Sequence, residues 1–402
     1  MSGADRCAME VSARLLGTLR LLAAVGVVAA VAGAVMAPEQ MWANWLLVSY
    51  YFLTLALGGL VFVALHYASG ATWGVAIRRI PEAMAGLVPL GVVGVGVVFF
   101  ARPELYPWMA DSLPQTDEPA LAFKHAWLSR GFFLVRAAAY AAAWSYFAWA
   151  IRRQSRLQDR EPGMGRTLAN RRLSAAFLVV FGVTFSLASI DWMMSLEPDW
   201  YSTIYGIYHF AGLILSALAA IVLVAIWLER SGPLKGILND DHLHDLGKLL
   251  FSFSTFWAYI WFCQYMLIWY ANIPEETVYF VLRTSAPWFG LFVLNAALNW
   301  VVPSAMLIRS GAKSHRGVMV GAAVVVLLGR WLDLYVMVLP PINESSPAIG
   351  VWALGLLAGG VGFFGLALTR ALRGAPLVPI GDPHLDMSLP PEACEPEDPF
   401  LA

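Results

Sequence analysis

Ten apolar runs, each about 20 residues or longer, follow one another along the chain. They lie at roughly 15–37, 43–68, 80–100, 123–151, 172–195, 203–229, 245–270, 286–309, 317–339 and 348–371. A hydrocarbon core about 30 Å thick takes about 20 residues of helix to cross, so each run predicts a membrane span. Helices are the expected form because lipid offers no partner to an exposed N–H or C=O group. No alternating ten-residue pattern of the kind a barrel needs is present. No small-residue cleavage site precedes or closes the first run, which therefore reads as a retained span rather than a removed leader. The pattern predicts an all-α integral membrane protein of about ten transmembrane helices. Residues 1–14 lie before the membrane domain, 15–371 form it, and 372–402 form a Pro-rich acidic tail, expected to be extended and cytoplasmic.

The charges between the runs orient them. With the N-terminus inside, the cytoplasmic segments hold Arg6, Arg14, Arg78, Arg79, the seven arginines from Arg152 to Arg172, Arg230, Lys235, Lys248, Arg309, Lys313, Arg316, Arg370 and Arg373. The other side holds Arg102, Lys124 and Arg283, a ratio of nineteen to three. Positive charge stays inside, so both termini are expected in the cytoplasm of a bacterial inner membrane. The outer connections are acidic, with Glu104, Asp111, Asp117, Glu118, Glu197, Asp199, Glu275, Glu276 and Glu344, and are bordered by Trp and Tyr. The aromatics read as an interface belt, and the acidic rim can orient a positively charged partner such as a cytochrome c.

Composition removes several function classes. Only 13% of residues are charged, against about 25% in soluble domains, and the net charge of −1 leaves no basic face for nucleic acid. Cys7, Cys263 and Cys394 are far apart and form no CxxC or CxxCH, so covalent haem, iron–sulfur and zinc-ribbon ligand sets are not expected. Bis-histidine haem needs two His at similar depth, whereas His66 and His209 fall near opposite surfaces. In NDDHLHDLGK, the residues Asp240, Asp241, His242, His244 and Asp245 fall at a helix start, where acidic caps are expected more than a metal.

Ionisable side chains inside spans are costly and mark sites. Arg330 and Asp333, in GRWLD of the ninth span, share a helix face at a spacing of three, as a structural ion pair or a buried proton relay. Arg130 and Arg136 of the fourth span are six residues apart and point to different faces; Arg130 can snorkel, whereas Arg136 needs a buried partner. It joins Arg330 and Asp333 as a relay candidate. Between the fifth and sixth spans, Asp191, Tyr205 and His209 are expected near the outer leaflet, as a quinol or proton pocket or as a hydrogen-bonded corner shaped by Pro198. Gln264, beside Cys263, is expected to hydrogen-bond between helices.

The stretches SIDWMMSLEPDWYSTIYGIYHFAG, DDHLHDLGKLLFSFSTFWAYIWFCQYMLIWYANIPEET and LGRWLDLYVMVLP resemble the ActF-type membrane subunit of bacterial alternative complex III, a quinol:cytochrome c oxidoreductase, over roughly residues 40–370. That subunit belongs to the NrfD/PsrC-like family. The resemblance implies two four-helix bundles, spans two to five and six to nine, with one flanking helix at each end. It also implies a second NrfD-like membrane subunit, a periplasmic iron–sulfur subunit and haem-c subunits as partners, besides lipids. Menaquinone or another quinone is the implied ligand, although in that family the sister subunit is the better-supported quinol binder and a proton-conducting role has been proposed for the ActF type. Asp191 and His209 carry over to an outer pocket and Arg330 with Asp333 to a buried relay. A secondary transporter is the competing class, against which the Pro residues gather mainly at span ends; a purely structural assembly subunit is the third.

Overall fold

The computed structural model describes residues 11–110, 119–343, 347 and 349–389, with residues 119–122 described by their backbone alone. Ten long helices hold most of them: α1 (Ala13–Met36), α2 (Pro38–Ser69), α3 (Arg79–Ala101), α4 (Arg130–Gln158), α5 (Met164–Trp192), α6 (Tyr205–Arg230), α7 (Asp240–Ala271), α8 (Ala286–Leu307), α9 (Arg316–Val338) and α10 (Val351–Leu372). No strand occurs among the described residues. Nine of these helices are long and apolar enough to cross a membrane. The tenth, α4, has the length at 29 residues, but Arg136 and a run of Trp, Ser and Tyr lower its hydropathy. Large apolar side chains such as Val35, Val179, Trp269 and Tyr270 are exposed on the helix surfaces. Such a surface suits lipid rather than water, and the chain is a multi-pass membrane protein.

Local chemistry sets the breaks. α3 turns at Gly86 and Leu87 and restarts with Pro89 in its first turn, where the missing N–H leaves nothing unpaired. α8 contains a π turn at Ala297–Val301 just before Pro303, whose ring excludes an ordinary ladder bond. The fourth apolar run, expected at 123–151, is divided: a short helix, Pro119–Trp127, ends at Leu128 and Ser129, and α4 begins at Arg130. The turn brings Trp127 back over Arg136, at 4.0 Å from guanidinium to ring.

α2 and α6 are the most enclosed helices. α2 touches α1, α3, α5, α6, α9 and α10, and α6 touches α2, α5, α7 and α9. α3 also packs on α4 and α4 on α5, while α7 packs on α8 and α8 on α9. α1 and α10 run antiparallel along the outside of α2, and glycines let their backbones meet. A Cβ on Gly359 would lie 2.4 Å from the Gly26 Cα, and one on Gly362 would lie 2.4 Å from the Ala23 nitrogen. Small residues give this close approach in lipid, where no hydrophobic drive between helices operates.

The segment after α10 differs from the extended tail expected of its composition. Leu377 and Val378 are buried, and Asp382 forms a 2.7 Å ion pair with Arg78. The Ser388 hydroxyl donates to the Trp73 carbonyl at 2.7 Å, accepts from the Ala76 N–H at 3.0 Å, and lies 3.1 Å from His242 Nε2. Gly381 sits so close to the Gln158 carbonyl that a Cβ would lie 1.9 Å from it. A few well-placed contacts thus dock this segment as a strap across the ends of α2, α3, α4 and α7, although its average composition is that of a linker. The rest of the tail, 390–402, lies outside the described residues.

Gly359→Val is expected to destabilise the protein by about 1–3 kcal/mol, because overpacking must push α1 from α10. Gly96→Ala, with no atom within 4 Å of its added Cβ, is expected to leave stability unchanged. Thermal unfolding in detergent checks both; a Gly359→Val variant that melts with the wild type would contradict the backbone contact.

Candidate functional site

Among the buried carboxylates, Asp191 and Asp333 are the most enclosed, and the chain surrounds each in the same way. Asp191, near the end of α5, is fully buried. Arg136 of α4 grips it with two hydrogen bonds, Nε to Oδ2 at 2.9 Å and Nη2 to Oδ1 at 2.8 Å. The Tyr140 hydroxyl donates to Oδ2 at 3.0 Å and the Trp127 indole to Oδ1 at 2.9 Å. Asp333 of α9 also receives four donors. Arg330 and the Trp257 indole, the latter at 3.2 Å, reach Oδ2. The Tyr208 hydroxyl and the Asn295 amide, the latter at 2.9 Å, reach Oδ1. A carboxylate has about four acceptor positions, so both are saturated by this chain's own donors. Each quartet consists of Asp, Arg, Tyr and Trp, with Asn295 as a fifth member of the second.

Beside the second quartet lies His209 of α6. Its Nδ1 is 2.9 Å from the Tyr50 hydroxyl of α2, and the Tyr205 ring packs edge-on at 4.5 Å. His209 Nε2 is buried and has no hydrogen-bond partner among the described residues. Arg330 Nε and Nη2 are likewise buried and unpartnered. The guanidinium fits only because residue 212 is glycine; a Cβ there would lie 2.5 Å from Arg330 Cζ. His209 and Gly212 are three apart on α6 and so share a face, which sets the open imidazole nitrogen and the open guanidinium nitrogens on the same side of that helix. Tyr208, adjacent to His209, touches its ring at 6.1 Å and donates to Asp333.

On the other side of Asp333 is a cavity of about 10 Å³, room for about one water, bordered by Tyr208, Gln264, Tyr279, Arg283 and Asn295. Gln264, expected to hydrogen-bond between helices, borders this cavity, and its Oε1 is unpartnered among the described residues. Arg283, read from the sequence as an outer-loop charge, is buried instead. It donates to the Val336 carbonyl at 2.9 Å and the Met337 carbonyl at 2.8 Å, closing the end of α9, and pairs with Glu197 at 2.5 Å. Carbonyls at a helix end carry partial negative charge, which a guanidinium neutralises.

The expected groupings change accordingly. Arg330 and Asp333 pair as their spacing predicted. Arg136 does not join them but holds Asp191, because α4 packs on α5 rather than on α9. Tyr205 and His209 meet, but no hydrogen bond or ring contact joins either to Asp191 among the described residues. Tyr50, Trp127, Tyr140, Tyr208, Trp257 and Asn295 were not singled out by the sequence reading. A signal for some of them exists in a weak internal echo: Asp191 and Asp333 each precede a proline by seven residues, Pro198 and Pro340. The acidic cluster after Asn239 behaves as helix-start chemistry. Asn239 and His242 form a reciprocal cap, Asp240 pairs with Arg316, and Asp245 pairs with Lys248.

No protein-family model matches the chain, and no curated protein is detectably similar to it.

Arg136→Gln and Asp191→Asn are each expected to destabilise by about 3–5 kcal/mol, because each strands a buried partner. The double variant is expected to be less destabilised than the sum of the two. Thermal unfolding of the four proteins in one detergent measures the coupling, and additive losses would show that the pair does not act as a unit.

Proposed function

We propose that this chain is a proton-handling membrane subunit of a quinol-oxidising respiratory complex, of the ActF type of alternative complex III that its sequence resembles. In this reading it has ten spans, α1 to α10, including α4. The helices α2–α5 and α6–α9 form two four-helix bundles flanked by α1 and α10, and the arginine-rich ends with both termini face the cytoplasm of a bacterial inner membrane. The partners are a second NrfD-like membrane subunit, an iron–sulfur subunit and haem-c subunits that carry the electrons.

The observation that carries the proposal is the His209 imidazole, fully buried, held on one nitrogen by Tyr50 and open on the other, next to the Tyr208–Asp333–Arg330 group. An imidazole can accept a proton on one nitrogen and release one from the other, and tyrosine hydroxyls donate and accept in turn. Tyr50, His209, Tyr208 and Asp333 therefore supply alternating groups across the contact between α2, α6 and α9. The water-sized cavity beside Asp333 continues toward Arg283 and Glu197. A quinol headgroup fits the Asp191–His209 corner poorly, since Asp191 has no acceptor position left for a quinol hydroxyl. The reading is therefore of proton passage here and of quinol oxidation in a neighbouring subunit.

His209→Ala and Asp333→Asn, made separately in the native membrane, test this. Both are expected to leave the complex assembled with its haem-c and iron–sulfur subunits and to lower turnover or proton release about a hundredfold, the low side of what a positioned acid–base group contributes. Full turnover and full proton release in both variants would reduce the chain to an assembly scaffold. A colourless solitary oligomer that moves a solute after reconstitution would replace the proposal with a transporter.

A further inference from the structure

At the arginine-rich ends of α3, α4 and α10, most of the buried charge is matched. Arg78 and Arg79 share Glu82, and Arg78 also holds Asp382 while Arg79 holds Asp159. Ser155 donates a further hydrogen bond to Glu82 at 2.7 Å, so that carboxylate accepts three. Arg166 pairs with Glu161. Arg152 and Arg156, one turn apart on α4, have no hydrogen bond or ion pair among the described residues. Arg152 is nevertheless held in place. It is half-buried, and its guanidinium lies in a notch left by Gly86, where a Cβ would come within 2.4 Å of Cζ.

These two side chains, Arg79 and the Glu82 that Arg79 holds line one cleft with the last residues of α10, Ala371 and Leu372, and with Pro376 of the strap. The strap backbone passes close by, and a Cβ on Gly374 would lie 3.6 Å from an Arg156 nitrogen. A solvated arginine on a helix surface needs no explanation. A guanidinium seated in a glycine notch one turn from another is different: the nearby carboxylates Glu82 and Asp159 are bonded to Arg78, Arg79 and Ser155, so Arg152 and the exposed Arg156 bring positive charge that no bonded carboxylate matches among the described residues. Guanidinium forks match a tetrahedral oxyanion with paired hydrogen bonds. The cleft also has an apolar flank from Leu372, Ala375 and Pro376, and it opens where the apolar helices end, the level of lipid headgroups.

We infer that this cleft binds a phosphate group, that of an anionic phospholipid headgroup, with Arg152 and Arg156 as its principal donors. Inorganic phosphate shares the chemistry and is the other source. The inference is independent of the proton-handling proposal, since the cleft touches neither quartet and its occupancy is read without turnover.

The test uses the full chain purified in detergent and delipidated. Phosphatidylglycerol, cardiolipin, phosphatidylcholine and inorganic phosphate are added separately, and bound lipid by native mass spectrometry and the thermal unfolding midpoint are read. The two anionic lipids are expected to bind at least about tenfold more tightly than phosphatidylcholine and to raise the midpoint, and R152Q/R156Q is expected to abolish that preference. A rise with inorganic phosphate that R152Q/R156Q removes, without a lipid preference, would assign the cleft to the free anion and overturn the headgroup. Gly86→Ala keeps both charges but displaces Arg152, and is expected to weaken anionic lipid binding even if the double variant fails to fold. R160Q/R172Q, on the same face of the protein but outside the cleft, is expected to keep the preference. Loss of it there to the same extent, or equal binding of all lipids by the wild type, would overturn the inference.

Discussion

A carboxylate in a lipid-filled interior has to find all its partners within the protein. Burial of an unpaired charge costs far more than any single contact returns, and removing one partner exposes the whole penalty. Asp191 and Asp333 meet this requirement with four donors each, drawn from α4 and the preceding turn in one case and from α6, α7, α8 and α9 in the other. Much of the local architecture answers to these eight bonds. The chain turns at Leu128 so that Trp127 can reach Asp191, and Arg136 stacks beneath that indole. The π turn of α8 widens the helix where Asn295 and Asn299 bond to each other, at 2.7 Å, and Asn295 reaches Asp333. π turns inside helices are frequent where a side chain must be re-aimed for a site.

The most enclosed helices, α2 and α6, meet beside the Asp333 group. α2 and α6 cross in the centre, and the Tyr50–His209 contact is the polar bond between them. Around it the packing is aromatic: Tyr205 lies on His209, Trp200 on Tyr205, and Tyr279 stacks on Trp200 at 4.0 Å. Rings supply bulk and a single polar tip each, so they fill the space while limiting the number of hydrogen-bonding atoms that need partners. The result is a thin polar seam inside an apolar mass, with His209 Nε2 and two Arg330 nitrogens left open along it.

Much of the fold was legible in the apolar periodicity, because lipid imposes a length rule that sequence displays directly. Nine of the ten runs correspond to helices long and apolar enough to cross, and the break within 123–151 escaped because Leu128 and Ser129 carry no Gly or Pro signal. The Arg330–Asp333 pair was legible too, since both residues lie on one helix and local geometry alone joins them. The Arg136–Asp191 pair was not, because it depends on which helices are neighbours and at what height. Asp191 and His209 are close in sequence but turn toward different helices, α4 and α2. Tyrosine, tryptophan and asparagine donors are invisible in a search for ionisable residues, although they supply five of the eight bonds to the two carboxylates. The strap was misread for a related reason: its composition is that of a linker, and only Leu377, Val378, Asp382 and Ser388 dock it.

The arginines show how one residue type is used differently by depth. Arg136 and Arg330 each hold one buried carboxylate. Arg283, nearer an end, divides its donors between Glu197 and the last carbonyls of α9, joining a loop to a helix terminus. Arg78 and Arg79 tie α3 to the end of α4 and to the strap through three acids. In all these places the guanidinium is paired with a carboxylate of the protein, as low dielectric requires. Lysine would serve poorly, because a point charge cannot hold two oxygens in a fixed plane or cap several carbonyls at once. Arg152 departs from the series, since it has a shaped seat but no bonded acid among the described residues. A positive-inside flank explains why an arginine occurs at that level, but not why the backbone of α3 is hollowed at Gly86 to receive it.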